Sequence, residues 1–248
     1  QRTVMDRAPL KFVYFAGEPI GGPVLEELLV GGLRPSLVVC NPDRPAGRGR
    51  QITPPPIKAL AEHHDIPVYQ PESIKTQSGV GPLTGEMWDL FVVVAYNKIM
   101  PEWLIDLPKY KTINVHPSLL PLRRGPNPIR SAIRQDDRAS IGVSIMLMDK
   151  EMDHGPLLAQ TPMPISNDRW PINGTELDEA LARMGGALLV DTIPRWVAGD
   201  ITPQAQAHES ATYTNKITKA DGALEINPFR LPRGEAARQT LTKIRAYA

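Results

Sequence analysis

Nearly continuous apolar runs recur along the first half of the chain: KFVYFA at residues 11–16, SLVVC at 36–40, DLFVVVAY at 89–96 and TINVH at 112–116. Runs this short do not make core helices, and their lack of polar alternation suits strands buried on both faces. Helix-like stretches lie between them: residues 23–30, which begin at Pro23 and stop at Gly31-Gly32, and residues 57–64. Such alternation predicts right-handed βαβ units and an α/β fold around a mostly parallel sheet with flanking helices. Val68-Tyr69 adds a scrap of strand, and residues 140–148 and 157–163 continue the sheet as a hairpin. Residues 127–134 and 175–198 read as helices, the second weakened by Gly185, Gly186 and Pro194. The Pro-, Gly- and Arg-rich residues 41–56 read as a long loop. The expected domain spans residues 10–200; residues 201–248 read as an extension and linker without a second globular core.

Lys and Arg number 28 against 27 for Asp and Glu, a net charge of +1. Bulk charge therefore excludes a general nucleic-acid or membrane binder, so any such surface must be local. The single cysteine, Cys40, rules out an internal disulfide framework and a Cys-rich zinc site, and fits a reducing compartment. No apolar run approaches the roughly 20 residues of a membrane helix. Residues 1–9 carry charges with no apolar stretch behind them, unlike a secretory signal. A start at Gln1 implies trimming, with Met5 as the candidate native start.

GEPIGG at residues 17–22 follows the first strand, where a dinucleotide fingerprint would sit. Its G-x-x-x-G-G spacing is not G-x-G-x-x-G and no P-loop lysine follows, so it reads as a tight turn and speaks against NAD and ATP. Among the histidines, His63 and His64 fall on an exposed helix and His154 reads as a loop residue. His116 is different. It closes TINVH, and period-two geometry sets it on one face with Asn114, at the carboxyl end of a parallel strand. Open α/β sheets place ligand crevices at such ends. The pair supplies an amide donor and a titratable group, and by spacing alone it equally fits a satisfied structural pair. Asp153 lies in MDKEMDHGP, residues 148–156, after the next strand. If that strand neighbours TINVH, the carboxylate can reach the imidazole, hold its tautomer and stabilise its charged form; otherwise it belongs to a solvated turn.

Asn114-x-His116, Ser118-Leu119-Leu120-Pro121, Arg124-Gly125 and Met152-Asp153-x-Gly155 together resemble the signature of the 10-formyltetrahydrofolate-dependent formyltransferases. NPDRPAGRG at residues 41–49 resembles the basic loop of the methionyl-tRNA branch of that family. Ala211-Thr212-Tyr213, Lys216-Ile217-Thr218, Asp221-Gly222 and the linker-like Lys243-Ile244-Arg245-Ala246 extend the likeness over nearly all of residues 10–248. The resemblance implies the Rossmann-like sheet of a formyltransferase N-terminal domain. It implies formyl transfer from 10-formyltetrahydrofolate to the amine of initiator methionyl-tRNA, without a metal. It assigns Asn114 and a protonated His116 to the oxyanion, and Asp153 to keeping His116 charged and accepting the amine proton. It further implies a folate crevice with Val94, Ala95, Tyr96, Ile99, Ser118, Leu119, Leu120 and Pro121, and tRNA phosphate contacts from Arg44, Arg48 and Arg50. The expected enzyme is a cytoplasmic monomer with no membrane partner.

Where the family's linker leads to a tRNA-binding β-barrel, this sequence stops at Ala248. Residues 75–85 are Gly-rich where relatives carry a charged helix, and Asn97 replaces a usual glycine, a swap suited to a left-handed position. Three alternatives stand beside this reading: formylation of a nucleotide-linked amino sugar, hydrolysis of 10-formyltetrahydrofolate on the same three residues, and an idle RNA- or folate-binding module. The Arg loop argues against the first and the intact trio against the last.

Overall fold

The computed structural model describes residues 9–46, 49–224 and 230–248. Its strands are β1 (Phe12–Ala16), β2 (Leu37–Val39), β3 (Arg44–Ala46), β4 (Gln51–Thr53), β5 (Val68–Tyr69), β6 (Leu90–Val94), β7 (Thr112–His116), β8 (Gly142–Leu147) and β9 (Leu157–Pro162). The main sheet runs β5-β2-β1-β6-β7-β8-β9, parallel from β5 through β7, with antiparallel β7–β8 and β8–β9 pairs. The expected mostly parallel sheet and its closing hairpin are both present. The helices are α1 (Gly21–Val30), α2 (Pro56–His63), α3 (Gly81–Thr84), α4 (Glu102–Ile105), α5 (Pro128–Arg134), α6 (Gly174–Ala198) and α7 (Gly234–Tyr247).

The strand period divides the core into two layers. Phe12, Tyr14, Leu90, Val92, Ile113 and Val115 face the layer built by α1, α2, α5 and α6. Val13, Phe15, Phe91 and Val93 face the opposite side, covered by the short α3 and α4 and their flanking loops. On β7 this alternation sends Ile113 and Val115 under the long helices and leaves Thr112, Asn114 and His116 on the side with lighter cover. The chemistry-bearing side chains therefore sit where a crevice can exist.

Two expectations change. Residues 41–56 are not all loop: β3 and β4 form an isolated antiparallel ribbon with Arg44 opposite Thr53. Pro45 is tolerated there because the ribbon adds no strand to the main sheet. Residues 234–247, expected only as linker, form α7, which packs on α5 and buries Ala246. Arg238 on α7 reaches Asp136 at 2.7 Å.

The glycines that weaken α6 as an isolated helix serve its packing. A Cβ on Gly186 would lie 2.4 Å from the Glu27 Cβ and 3.0 Å from the Val24 carbonyl oxygen of α1. A Cβ on Gly185 would lie 2.8 Å from Val115 Cγ1 of β7. Close packing of α6 on α1 and the sheet replaces the helix propensity that these residues lack. We expect Gly186→Ala to destabilise the fold by about 1–3 kcal/mol, the usual overpacking range, in urea unfolding. A neutral or stabilising result would show that α1 and α6 do not approach this closely.

Candidate active site

After β1 the chain crosses to β2 and β5 on one side, then returns to β6 and β7 on the other. Ligands of open α/β sheets bind outside the carboxyl ends of strands at such a reversal. Backbone approaches closely here. A Cβ on Gly17 would fall 2.2 Å from the Ala95 carbonyl oxygen, and Ala95 itself takes φ 51°. Ala95, not Asn97, holds the left-handed position after β6, which corrects the expectation for Asn97.

His116 closes β7 beside this point and is 5% exposed. Its Nε2 lies 2.9 Å from the Arg123 carbonyl oxygen. That oxygen can only accept, so Nε2 carries a hydrogen and the tautomer is set. Arg123 is firmly anchored: its buried guanidinium donates to Ser140 Oγ at 2.6 Å, Ser131 Oγ at 2.8 Å, Gln135 Oε1 at 3.0 Å and Asp137 Oδ2 at 2.6 Å.

β8 sets Met146 opposite Asn114 and Ser144 opposite His116, and the β8–β9 connection folds back over β7. The turn uses Asp153 at φ 51° and Gly155, where a Cβ would lie 1.9 Å from the Leu147 carbonyl oxygen. Asp153 is thereby brought to both β7 side chains. Its Oδ2 lies 3.6 Å from His116 Nδ1, and its Oδ1 lies 3.5 Å from Asn114 Nδ2. The first distance is beyond a good hydrogen bond, so the two groups are adjacent as a charge pair and not directly bonded. The carboxylate is steadied by the Gly125 N–H, which donates to Oδ2 at 2.6 Å.

A strand-end amide, an imidazole with a fixed tautomer and a tethered carboxylate thus converge on one side of the sheet. The sequence model of the formyl transferase family matches residues 12–193. The chain belongs to the formyl transferase family. A relative named methionyl-tRNA formyltransferase, from Halorhodospira halophila (strain DSM 244 / SL1), is 40% identical over 237 residues, covering 95% of this chain and 73% of the relative. A sugar N-formyltransferase from Shewanella sp FDAARGOS_354 shares the fold with a TM-score of 0.66 at 18% identity, over 97% of this chain and 88% of that one. Phosphoribosylglycinamide formyltransferase from Anaplasma phagocytophilum does so with a TM-score of 0.60 at 20% identity, over 84% and 97% of the two chains.

In this formyltransferase the residues expected around a folate divide by burial. Val94 and Leu120 are interior, and Leu119 and Pro121 are half-buried. The buried Ser118 donates its hydroxyl to the Leu122 carbonyl at 2.7 Å. Leu120 N–H donates to Ser144 Oγ at 3.1 Å, while its carbonyl accepts from Gln160 Nε2 at 2.9 Å. Ile99 is 88% exposed. Tyr96 is 8% exposed, burial raises its phenol's pKa, and its hydroxyl has no partner among the described residues.

Among the described residues, no hydrogen bond or ion pair joins Arg44 or Arg50 to the trio. Arg44 on β3 donates to Glu72 Oε2 at 2.7 Å, Arg50 is exposed at φ 51°, and Arg48 falls outside the described residues. His154 is held by Asp149 at 2.7 Å. No group of three or more His, Cys, Asp or Glu among the described residues could hold a metal ion. No helix among them is long and apolar enough to cross a membrane.

Sequence reading misses two supports: the Gly125 N–H under Asp153 and the Arg123 carbonyl under His116. Gly125 takes φ 98°, open mainly to glycine, so its place in the Arg-Gly pair is the one signal that could have found it. Arg123 depends in turn on Asp137. Burial pushes the Asp137 carboxyl up, but hydrogen bonds from Arg123 and Ser140 outweigh it and hold it below the usual range. A depressed carboxylate contributes stability above its unfolded pKa of about 3.9 and loses it as pH falls through the folded value. Asp137→Asn should therefore give a lower plateau at neutral pH and a shallower loss below about pH 4, read by thermal unfolding against pH. Parallel curves for the two proteins would remove Asp137 from the support of Arg123.

Proposed function

We propose that this formyltransferase moves the formyl group of 10-formyltetrahydrofolate to the α-amino group of initiator methionyl-tRNA, in the cytoplasm. The observation that carries the chemistry is the approach of Asn114 and His116 to one carboxylate, Asp153. The amino substrate follows from the 40% identity to a relative of that name and from the Arg-bearing ribbon. In this reading the amine attacks the formyl carbon, forming a C–N bond and pushing the carbonyl electrons onto oxygen. The Asn114 amide and a proton on His116 Nδ1 stabilise that oxyanion; Nε2 is committed to Arg123. Asp153 takes the proton of the attacking nitrogen, directly or through one water. The C–N10 bond then breaks, N10 gains a proton and tetrahydrofolate leaves.

Folate would lie at the carboxyl ends of β6 and β7, with Val94–Tyr96, Ile99 and residues 118–121 around the pterin end. Arg44 must exchange Glu72 for a phosphate. That exchange is easy, because both side chains are mostly exposed and such pairs are worth only about 0–1 kcal/mol. The second reading, a small nucleotide-linked amino sugar, would leave the ribbon unused.

Two measurements test the proposal. Asn114→Ala, His116→Ala and Asp153→Ala should each lower kcat by at least about 100-fold, and the triple variant by little more than the worst single one. A single variant with near-wild-type turnover removes that residue from the chemistry. Replacing Arg44, Arg48 and Arg50 together by Ala should slow formylation of methionyl-tRNA and flatten its salt dependence. The log–log slope should fall by about 0.9 for each duplex phosphate that an arginine no longer neutralises. Coincident salt profiles would return the ribbon to solvent and favour the amino sugar.

A further inference from the structure

The segment 204–214 crosses the site from outside the stretch that matches the family. Its Gln204 pairs with Leu157 at the start of β9, and Tyr213 pairs with Arg124. Between them, Gln206 is 5% exposed and every hydrogen-bonding position of its amide is filled. Oε1 accepts from Arg124 Nη2 at 2.7 Å and Nε at 3.2 Å. Nε2 donates to the Asp153 carbonyl at 3.0 Å and the Gly155 carbonyl at 2.7 Å. The partners fix the amide's orientation, since turning it over would set N–H against guanidinium and oxygen against two carbonyls. Arg124 leads directly to Gly125, whose N–H holds the Asp153 carboxylate at 2.6 Å. A closed circuit results: Asp153 backbone, Gln206, Arg124, Gly125, Asp153 side chain.

Arg124 sharpens the point. It is 1% exposed, always charged, and has no ion pair with a carboxylate among the described residues. Its remaining partners are His208 Nδ1 at 2.8 Å and the Tyr213 hydroxyl at 3.3 Å. A glutamate at 206 would neutralise this buried cation better than an amide does. It would also place a carboxylate oxygen against the carbonyls of residues 153 and 155. The amide suits the turn, not the cation.

We infer that Gln206 is a positioning residue: it holds the Asp153 turn over His116 through the carbonyls of Asp153 and Gly155, and so sets the rate of formyl transfer. This rests on the proposed reaction. A displacement of the carboxylate by about 1 Å is enough to slow a positioned reaction about 100-fold.

Gln206→Glu separates the two roles of the side chain. It keeps the bond to Arg124 and removes only the donors to the turn. The expected result is a folded protein with unchanged or higher Tm, kcat lower by about 30–100-fold, and KM for both substrates within about threefold of wild type. Turnover within threefold of wild type would overturn the inference, because the residue would then serve Arg124 alone.

Hydrogen exchange of the Gly125 amide gives a readout that needs no substrate: it should become at least about tenfold faster in the variant, and an unchanged rate would also overturn the inference. If the wild type formylates no amine, the proposed reaction fails and the exchange measurement decides the clamp by itself. If Gln206→Glu does not fold, Gln206→Met, which removes the bonds to Arg124 as well as those to the turn, takes its place: lower kcat and faster exchange are expected, and unchanged values would overturn the inference. Unfolding of both would make Gln206 a framework residue and overturn the positioning role.

Discussion

The 2.6 Å hydrogen bond from the Gly125 N–H to Asp153 Oδ2 is the interaction on which the rest of the site depends. Asp153 stands in a long connection after an antiparallel strand, where a carboxylate would ordinarily turn to water. A single charge-assisted bond to a backbone donor turns it inward instead, against the edge of β7. The left-handed turn at Asp153 and the close approach that excludes a side chain at Gly155 permit this fold-back. His116 needs a different support, the Arg123 carbonyl, which fixes the hydrogen on Nε2 and leaves Nδ1 toward the carboxylate. Two nearby residues of one loop, Arg123 and Gly125, thus hold the two titratable groups of the site.

The sheet explains which side carries this arrangement. Long helices cover one face over Ile113 and Val115, whereas α3 and α4 are single turns on the other. The same three side chains on the first face would lie under α6. On the second they lie beside the chain reversal between β1 and β6, where Gly17 and Ala95 bring backbone together. Fold and chemistry meet through the two-residue period of β7.

That period makes much of the site legible from sequence. Asn114 and His116 fall on one face of a strand whose ends, Thr112 and His116, are marked by its apolar pattern. Their approach to Asp153 depends on an antiparallel β7–β8 neighbour, which spacing can suggest but not establish. The β3–β4 ribbon is hidden by Pro45 and the surrounding glycines, which normally mark loops. The helix α7 is hidden because it buries little beyond Thr242 and Ala246 and is held largely by polar bonds such as Arg238–Asp136. Gln206 leaves no trace at all: one polar residue in a polar segment has no periodicity, and its bonds exist only after distant loops meet.

Arg123 sets the tautomer of His116, so that Nδ1 faces Asp153. Nitrogen chemical shifts of the His116 ring, followed against pH, test it without any substrate. Neutral His116 should carry its hydrogen on Nε2, and Asp153→Asn should leave this tautomer unchanged, since the Arg123 carbonyl still accepts from it. A neutral ring protonated on Nδ1 would contradict it, because the carboxylate and not the Arg123 loop would then orient the imidazole.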